Sequence, residues 1–174
     1  MVKITIQYML VATFCLTFGA IASNSDLPDY VLNESIPDQI QNVVLDEKFS
    51  SIYAISSHIN PFFINGDFNG DGKLDTAILI KEKSSGMFGI AIIHGGSNKI
   101  SIVGAGNKFG NGGKNLDWMN AWTVHSKLLP VSQGATEMKP PKLLGDALIV
   151  MNTDAGSALI YWNGKKYVWY QQGD

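Results

Sequence analysis

The chain contains no arginine: all thirteen of its basic side chains are lysines, set against fifteen aspartates and glutamates. Guanidinium forks are the usual grip on phosphates and base edges, and no lysine cluster here exceeds the pair Lys165-Lys166, which argues against nucleic-acid binding. Cysteine is as scarce, with Cys15 alone in the whole sequence. One thiol forms no internal disulfide, and bulky Phe14 beside it occupies a place where a lipid-anchoring signal needs a small residue. Long apolar runs are missing too. The run from Tyr8 to Phe18 carries Thr13 and Thr17 and is shorter than the roughly 20 residues of a membrane-spanning helix. With Lys3 before it and the small-residue exit Ala20-Ile21-Ala22 after it, the run fits a cleaved export leader over residues 1–22. The expected product is a single domain, residues 23–174, that is periplasmic or secreted and has no stable membrane insertion. Without Lys3 and Cys15 that domain holds twelve cations against fifteen anions, a net charge near −3, and no thiol. Disulfides and cysteine nucleophiles are thereby excluded together, so an ordinary core must carry the fold.

What the chain has in quantity is β-forming sequence punctuated by glycine, of which there are 18. Ser35 and Pro37 mark the start of one amphipathic helix, with apolar residues at Ile36, Ile40, Val43, Val44 and Leu45. Thereafter short runs of β-branched and aromatic residues, at 61–64, 76–81, 88–94, 100–103, 121–125, 147–151, 158–162 and 167–170, read as strands. The connections between several of them are too short for helical crossovers, so the pairing is expected to be antiparallel. Asn163-Gly164 marks a hairpin turn. The glycine-rich stretch 104–115 and the proline-containing stretch 127–145 read as two long loops, the first mobile or ordered by a ligand. No internal repeat is visible. The fold class is therefore mainly β: an antiparallel meander or sheet with one N-terminal helix.

The segment Asp67-Phe68-Asn69-Gly70-Asp71-Gly72-Lys73-Leu74-Asp75 places oxygen-bearing side chains on alternate residues, with glycines where the chain must bend. Calcium takes roughly six to eight oxygens, and such spacing supplies them from Asp67, Asn69, Asp71, the carbonyl of Lys73 and Asp75. A helix-loop-helix calcium hand would need a glutamate at position twelve of the loop, where this chain has Ile78. Residues 66–78 resemble instead the calcium loop of FG-GAP and VCBS-type repeats, the strand-loop-strand element of integrin-like propellers. The resemblance implies a bound calcium ion on those five residues. A propeller is not expected, because the element occurs once and the chain is too short for even four blades.

Aromatics gather toward the C-terminus. Trp118, Trp122, Trp162 and Trp169 read either as core or as a stacking platform for sugar rings or peptide side chains, beside the glycine-rich loop. Nucleotide motifs fail: Phe109 stands where a dinucleotide fingerprint needs its third glycine, and Gly113-Lys114-Asn115 lacks the hydroxyl of a P-loop. His58, His94 and His125 fit no catalytic motif, although His94 or His125 could meet Asp117, Asp146 or Asp154 in the fold. Asn152-Thr153-Asp154 is a weak signal for a second ion. The expected role is a calcium-binding, non-catalytic module for a protein or glycan partner. An inhibitor or immunity protein of an exported enzyme, and a calcium-dependent hydrolase, stand as alternatives.

Overall fold

The computed structural model describes residues 27–134 and 136–173, so the expected leader lies outside the described residues. Three short helices, α1 (Asp29–Ser35), α2 (Asp38–Val44) and α3 (Glu47–Ser50), stand where one was expected. Pro37 is the reason. It disfavours helical backbone at the residue before it, and Ile36 is extended at φ −78°, ψ 145°, so α1 stops and α2 restarts directly after the proline. Asp46 then caps α3 by accepting from the Lys48 N–H at 2.9 Å.

Nine strands follow among the described residues: β1 (Tyr53–Ile55), β2 (Phe63–Gly66), β3 (Asp75–Glu82), β4 (Phe88–Ile93), β5 (Ile100–Gly104), β6 (Ala121–His125), β7 (Ala147–Asn152), β8 (Gly156–Trp162) and β9 (Tyr167–Gly173). All pairings are antiparallel, and the strands form two sheets. In the first, β3, β4 and β5 run side by side, while β1 and β2 lie end to end along the free edge of β3. The second is the meander β6-β7-β8-β9. The chain thus traces a four-strand meander twice, β2 to β5 and β6 to β9, although no sequence repeat announces it.

The sheets pack face to face. Ala77, Leu79, Ile90, Ile92 and Val103 of the first meet Trp122, Leu148, Val150, Ala158, Ile160 and Tyr167 of the second. The opposite face of the first sheet carries Ile78, Ile80, Ala91 and Ile93, and Ile36, Ile40, Val43, Val44 and Phe49 of the helices cover it. Side chains alternate faces along a strand, so a strand covered on both sides must be apolar throughout. The register obeys this rule: Leu79 pairs with Ile90 on the inter-sheet face and Ile78 with Ala91 on the helical face. Stretch 127–145 is a loop as expected, and its Val131 and Leu143 pack against Ala147, Leu159 and Tyr170 on the outer face of the second sheet. Helices cover one side of the sandwich and a loop the other; neither sheet closes into a barrel or propeller.

Candidate functional site

The acidic loop joins β2 to β3 at one end of the sandwich. Phe68 fixes it, since its ring has no solvent contact and sits in the inter-sheet core. Around that anchor each oxygen-bearing side chain bends back to its own backbone. Asp67 Oδ1 accepts from the Gly70 N–H at 2.8 Å and Asp67 Oδ2 from the Gly72 N–H at 3.1 Å. Asn69 Oδ1 accepts from the Asp71 N–H at 2.8 Å, and Asp71 Oδ1 from the Lys73 N–H at 2.9 Å. Those bonds hold the Asp71 carboxyl below its ordinary value, the Lys73 N–H first and the Asn69 amide second.

Asp75, the first residue of β3, is fully buried and accepts three N–H groups: Phe68 at 2.9 Å, Asn69 at 3.1 Å and Gly95 at 2.8 Å. Burial still pushes its carboxyl up, with those bonds and His94 opposing. It ties the start of the loop to the turn after β4. His94, only 4% exposed, continues the network, with Nδ1 3.3 Å from Asn69 Nδ2 and Nε2 2.9 Å from the Tyr167 hydroxyl. Because Asn69 Oδ1 is already an acceptor, its NH₂ faces His94 Nδ1, and a neutral ring then donates from Nε2 to Tyr167. Burial pushes the Tyr167 phenol well above the ordinary tyrosine value, with the charges of Asp75, Asp67 and Asp71 adding to the effect.

Two residues that no motif marked complete the site. Asp146, just before β7, accepts the Asp67 N–H at 3.1 Å and the Lys127 N–H at 2.9 Å. The Lys127 ammonium rests on Asp67 Oδ2 at 2.6 Å, and that bond, with the Asp67 and Asp146 charges, raises the lysine above its usual value. The segment before β7 presses against the loop so closely that a Cβ on Gly70, at φ +79°, would lie 2.4 Å from the Leu144 carbonyl oxygen. Asp75 and Asp146 hold matching places, each at the head of the second strand of its meander. Asp75-Thr76-Ala77-Ile78-Leu79 and Asp146-Ala147-Leu148-Ile149-Val150 share this pattern, the one sequence signal that could have pointed to Asp146.

The donors are of the type a hard cation takes, oxygens on alternate residues of a tight turn. With the Lys127 ammonium seated, no three His, Cys, Asp or Glu side chains gather into a metal-holding group among the described residues.

The tryptophans part company. Trp122 is 6% exposed and donates its indole N–H to the Pro61 carbonyl at 2.7 Å, so it is core and offers a partner no surface. Trp162 is half-buried against Tyr167 and His94, beneath the Lys99 ammonium. Trp118 and Trp169 meet edge to face at 6.0 Å and line an open cleft of about 420 Å³. The glycine-rich stretch 104–115 forms one wall of it. Instead of hanging free, that stretch folds on itself through Gly106 N–H to Lys114 O and Phe109 N–H to Gly113 O, each at 2.8 to 2.9 Å. Its single 3-10 turn, Gly110–Gly112, lies flat on the Trp169 indole.

His58, His94 and the 152–154 segment are engaged with other partners. His58 Nδ1 lies 2.9 Å from the Ser56 hydroxyl, and the His58 ring packs on Phe88, while His94 hydrogen-bonds with Asn69 and Tyr167 and, among the described residues, with no aspartate side chain. Asn152 accepts the Asp154 N–H at 3.0 Å, and Thr153 pairs with Asn120, which makes that segment the ordinary turn between β7 and β8. Among the described residues no helix is long and apolar enough to cross a membrane. No family model matches the chain, and neither a curated protein nor a solved structure matches it at a significant level.

Proposed function

We propose that the protein is an exported, non-catalytic binding module for a protein or glycan partner, and that its 67–75 loop takes a structural calcium ion as FG-GAP loops do. The observation that carries the metal reading is the oxygen ladder of Asp67, Asn69 and Asp71, each tied to an N–H of its own turn. A carboxylate oxygen keeps lone pairs after accepting one N–H, so this bonding pre-shapes the loop without exhausting its donors. Asp67, Asn69, Asp71, the Lys73 carbonyl and Asp75 would hold the ion. The Lys127 ammonium marks where positive charge is wanted, and a dication on Asp67 would displace it, since two cations cannot share that oxygen at close range. Calcium then supplies charge neutralisation and a cross-link between β2 and β3, and no bond making.

Titration calorimetry tests this. One calcium ion should bind per chain, Asp71→Ala should remove the binding heat, and Lys127→Met should tighten binding by about tenfold by removing the internal competitor. Chelator should lower the melting temperature of the calcium-saturated protein by about 5–10 °C. No binding heat together with an unchanged melting curve would rule the metal out.

A further inference from the structure

We propose that the cleft between Trp118 and Trp169 binds an uncharged saccharide chain; this rests on the binding-module reading and names the class of its ligand. The two indoles are held in place before any ligand arrives. Trp118 donates its N–H to the Gly112 carbonyl at 3.1 Å, and Trp169 donates to the Gln171 side-chain oxygen at 3.0 Å. Asn152 fixes the Trp118 backbone through a 3.0 Å bond to its carbonyl, and Gln171 is itself anchored on the Gly173 carbonyl at 2.8 Å. Both rings remain part-exposed, edge to face at 73°. Pyranose rings present flat faces of C–H bonds and a rim of hydroxyls. The faces suit the electron-rich surface of an indole, and the rim needs amides and hydroxyls at fixed positions.

The rest of the lining agrees. Among the described residues it contains no charged side chain. Its polar groups are carboxamides and a hydroxyl, and the Asn111 amide and Ser157 hydroxyl make no hydrogen bond among the described residues. A volume of about 420 Å³ lies in the range of small-molecule sites and is of the order a disaccharide fills. An anionic ligand would find its partners elsewhere, because Lys99, Lys165 and Lys166 gather with Trp162 in a separate hollow. An extended peptide added as a strand needs an open sheet edge. Beside the cleft that edge, β9, is crowded at Gln171 by Gly134, whose Cβ position would lie 1.9 Å from the Gln171 carbonyl oxygen.

The test follows the indole N–H resonances of the calcium-treated protein during titration with cellotetraose, with chitotetraose and with tetra-alanine. Saturable shifts at Trp118 and Trp169, absent at Trp122, are expected with at least one oligosaccharide at millimolar concentration or below, and not with the peptide. Trp118→Ala should weaken that binding at least tenfold. Asn111→Ala, an exposed change that leaves the fold untouched, should weaken it several-fold, with calcium affinity and melting temperature unmoved. Three results would overturn the assignment: no saturable shift with either sugar, equal shifts with tetra-alanine, or wild-type affinity in both variants. Calcium binding retained alongside any of these confines the failure to the cleft, whereas loss of calcium binding as well would remove the parent reading.

Discussion

Tyr167 shows how one side chain can join the loop to the sheets. Its hydroxyl caps His94, His94 faces Asn69, and its ring belongs to the inter-sheet core. The raised phenol has a definite consequence for alkaline stability. Above the ordinary tyrosine value of 10.0 the unfolded chain releases this proton while the folded chain keeps it, so stability present below that pH is lost as the pH rises. Tyr167→Phe should therefore flatten the loss of stability seen in urea unfolding above about pH 10, leaving the smaller slope due to Tyr161, which burial also raises. At neutral pH the same change should cost about 1–2 kcal/mol, because buried His94 loses a partner. A pH profile unaltered by the substitution would mean that the phenol ionises freely in the folded protein.

At the scale of elements, the glycine arc 110–112 behaves as a part fitted to Trp169. A Cβ on Gly110 would lie 2.4 Å from Trp169 Cβ, and Gly110 also sits at φ +51°. The close approach of backbone to indole is what excludes a side chain there. Gly110→Ala should destabilise the protein by about 2–3 kcal/mol in urea unfolding and alter the Trp169 environment in near-ultraviolet dichroism. Gly86→Ala is the control. Gly86 shares the positive φ, at +71°, but a Cβ there would meet only the end of the Lys81 chain at 3.8 Å, so its cost should stay at about 1 kcal/mol. Equal costs would show that backbone conformation alone, and not contact with Trp169, selects glycine at position 110.

Across the whole molecule the two meanders share a single inter-sheet core, to which both contribute large side chains. Neither could unfold without exposing the inner face of the other, so unfolding should be cooperative. Trp118, Trp122, Trp162 and Trp169 all lie in or against the second sheet, whereas the helices cover the first. Tryptophan fluorescence therefore reports the second sheet, whereas far-ultraviolet dichroism reports the backbone of both sheets and of the helices. Their urea transitions should coincide; separated midpoints would mean that the meanders are independent units.

Eight strands fall within three residues of their expected positions, because period-two apolar runs bounded by glycine and asparagine are a local signal. The missed strand, β1, has only three residues and exists through its pairing with β3. The hairpin at Asn163-Gly164 is real, but Trp162 pairs with Tyr167 and the loop spans four residues, with the Asn163 side chain accepting from Lys165 and Lys166. The oxygen ladder of the acidic loop was legible because each Asx turn is made within a few residues. Lys127 and Asp146 were not, since they reach Asp67 from 60 and 79 residues away. The same division holds for the tryptophans. Sequence placed indoles near a glycine-rich stretch, but only the packing of sheet on sheet sent Trp122 inward and brought Trp118 and Trp169 to one cleft. Local sequence determines what depends on neighbours along the chain, namely strand, turn and ladder; which side chains share a core or a site depends on distant contacts that form only when the two sheets close on each other.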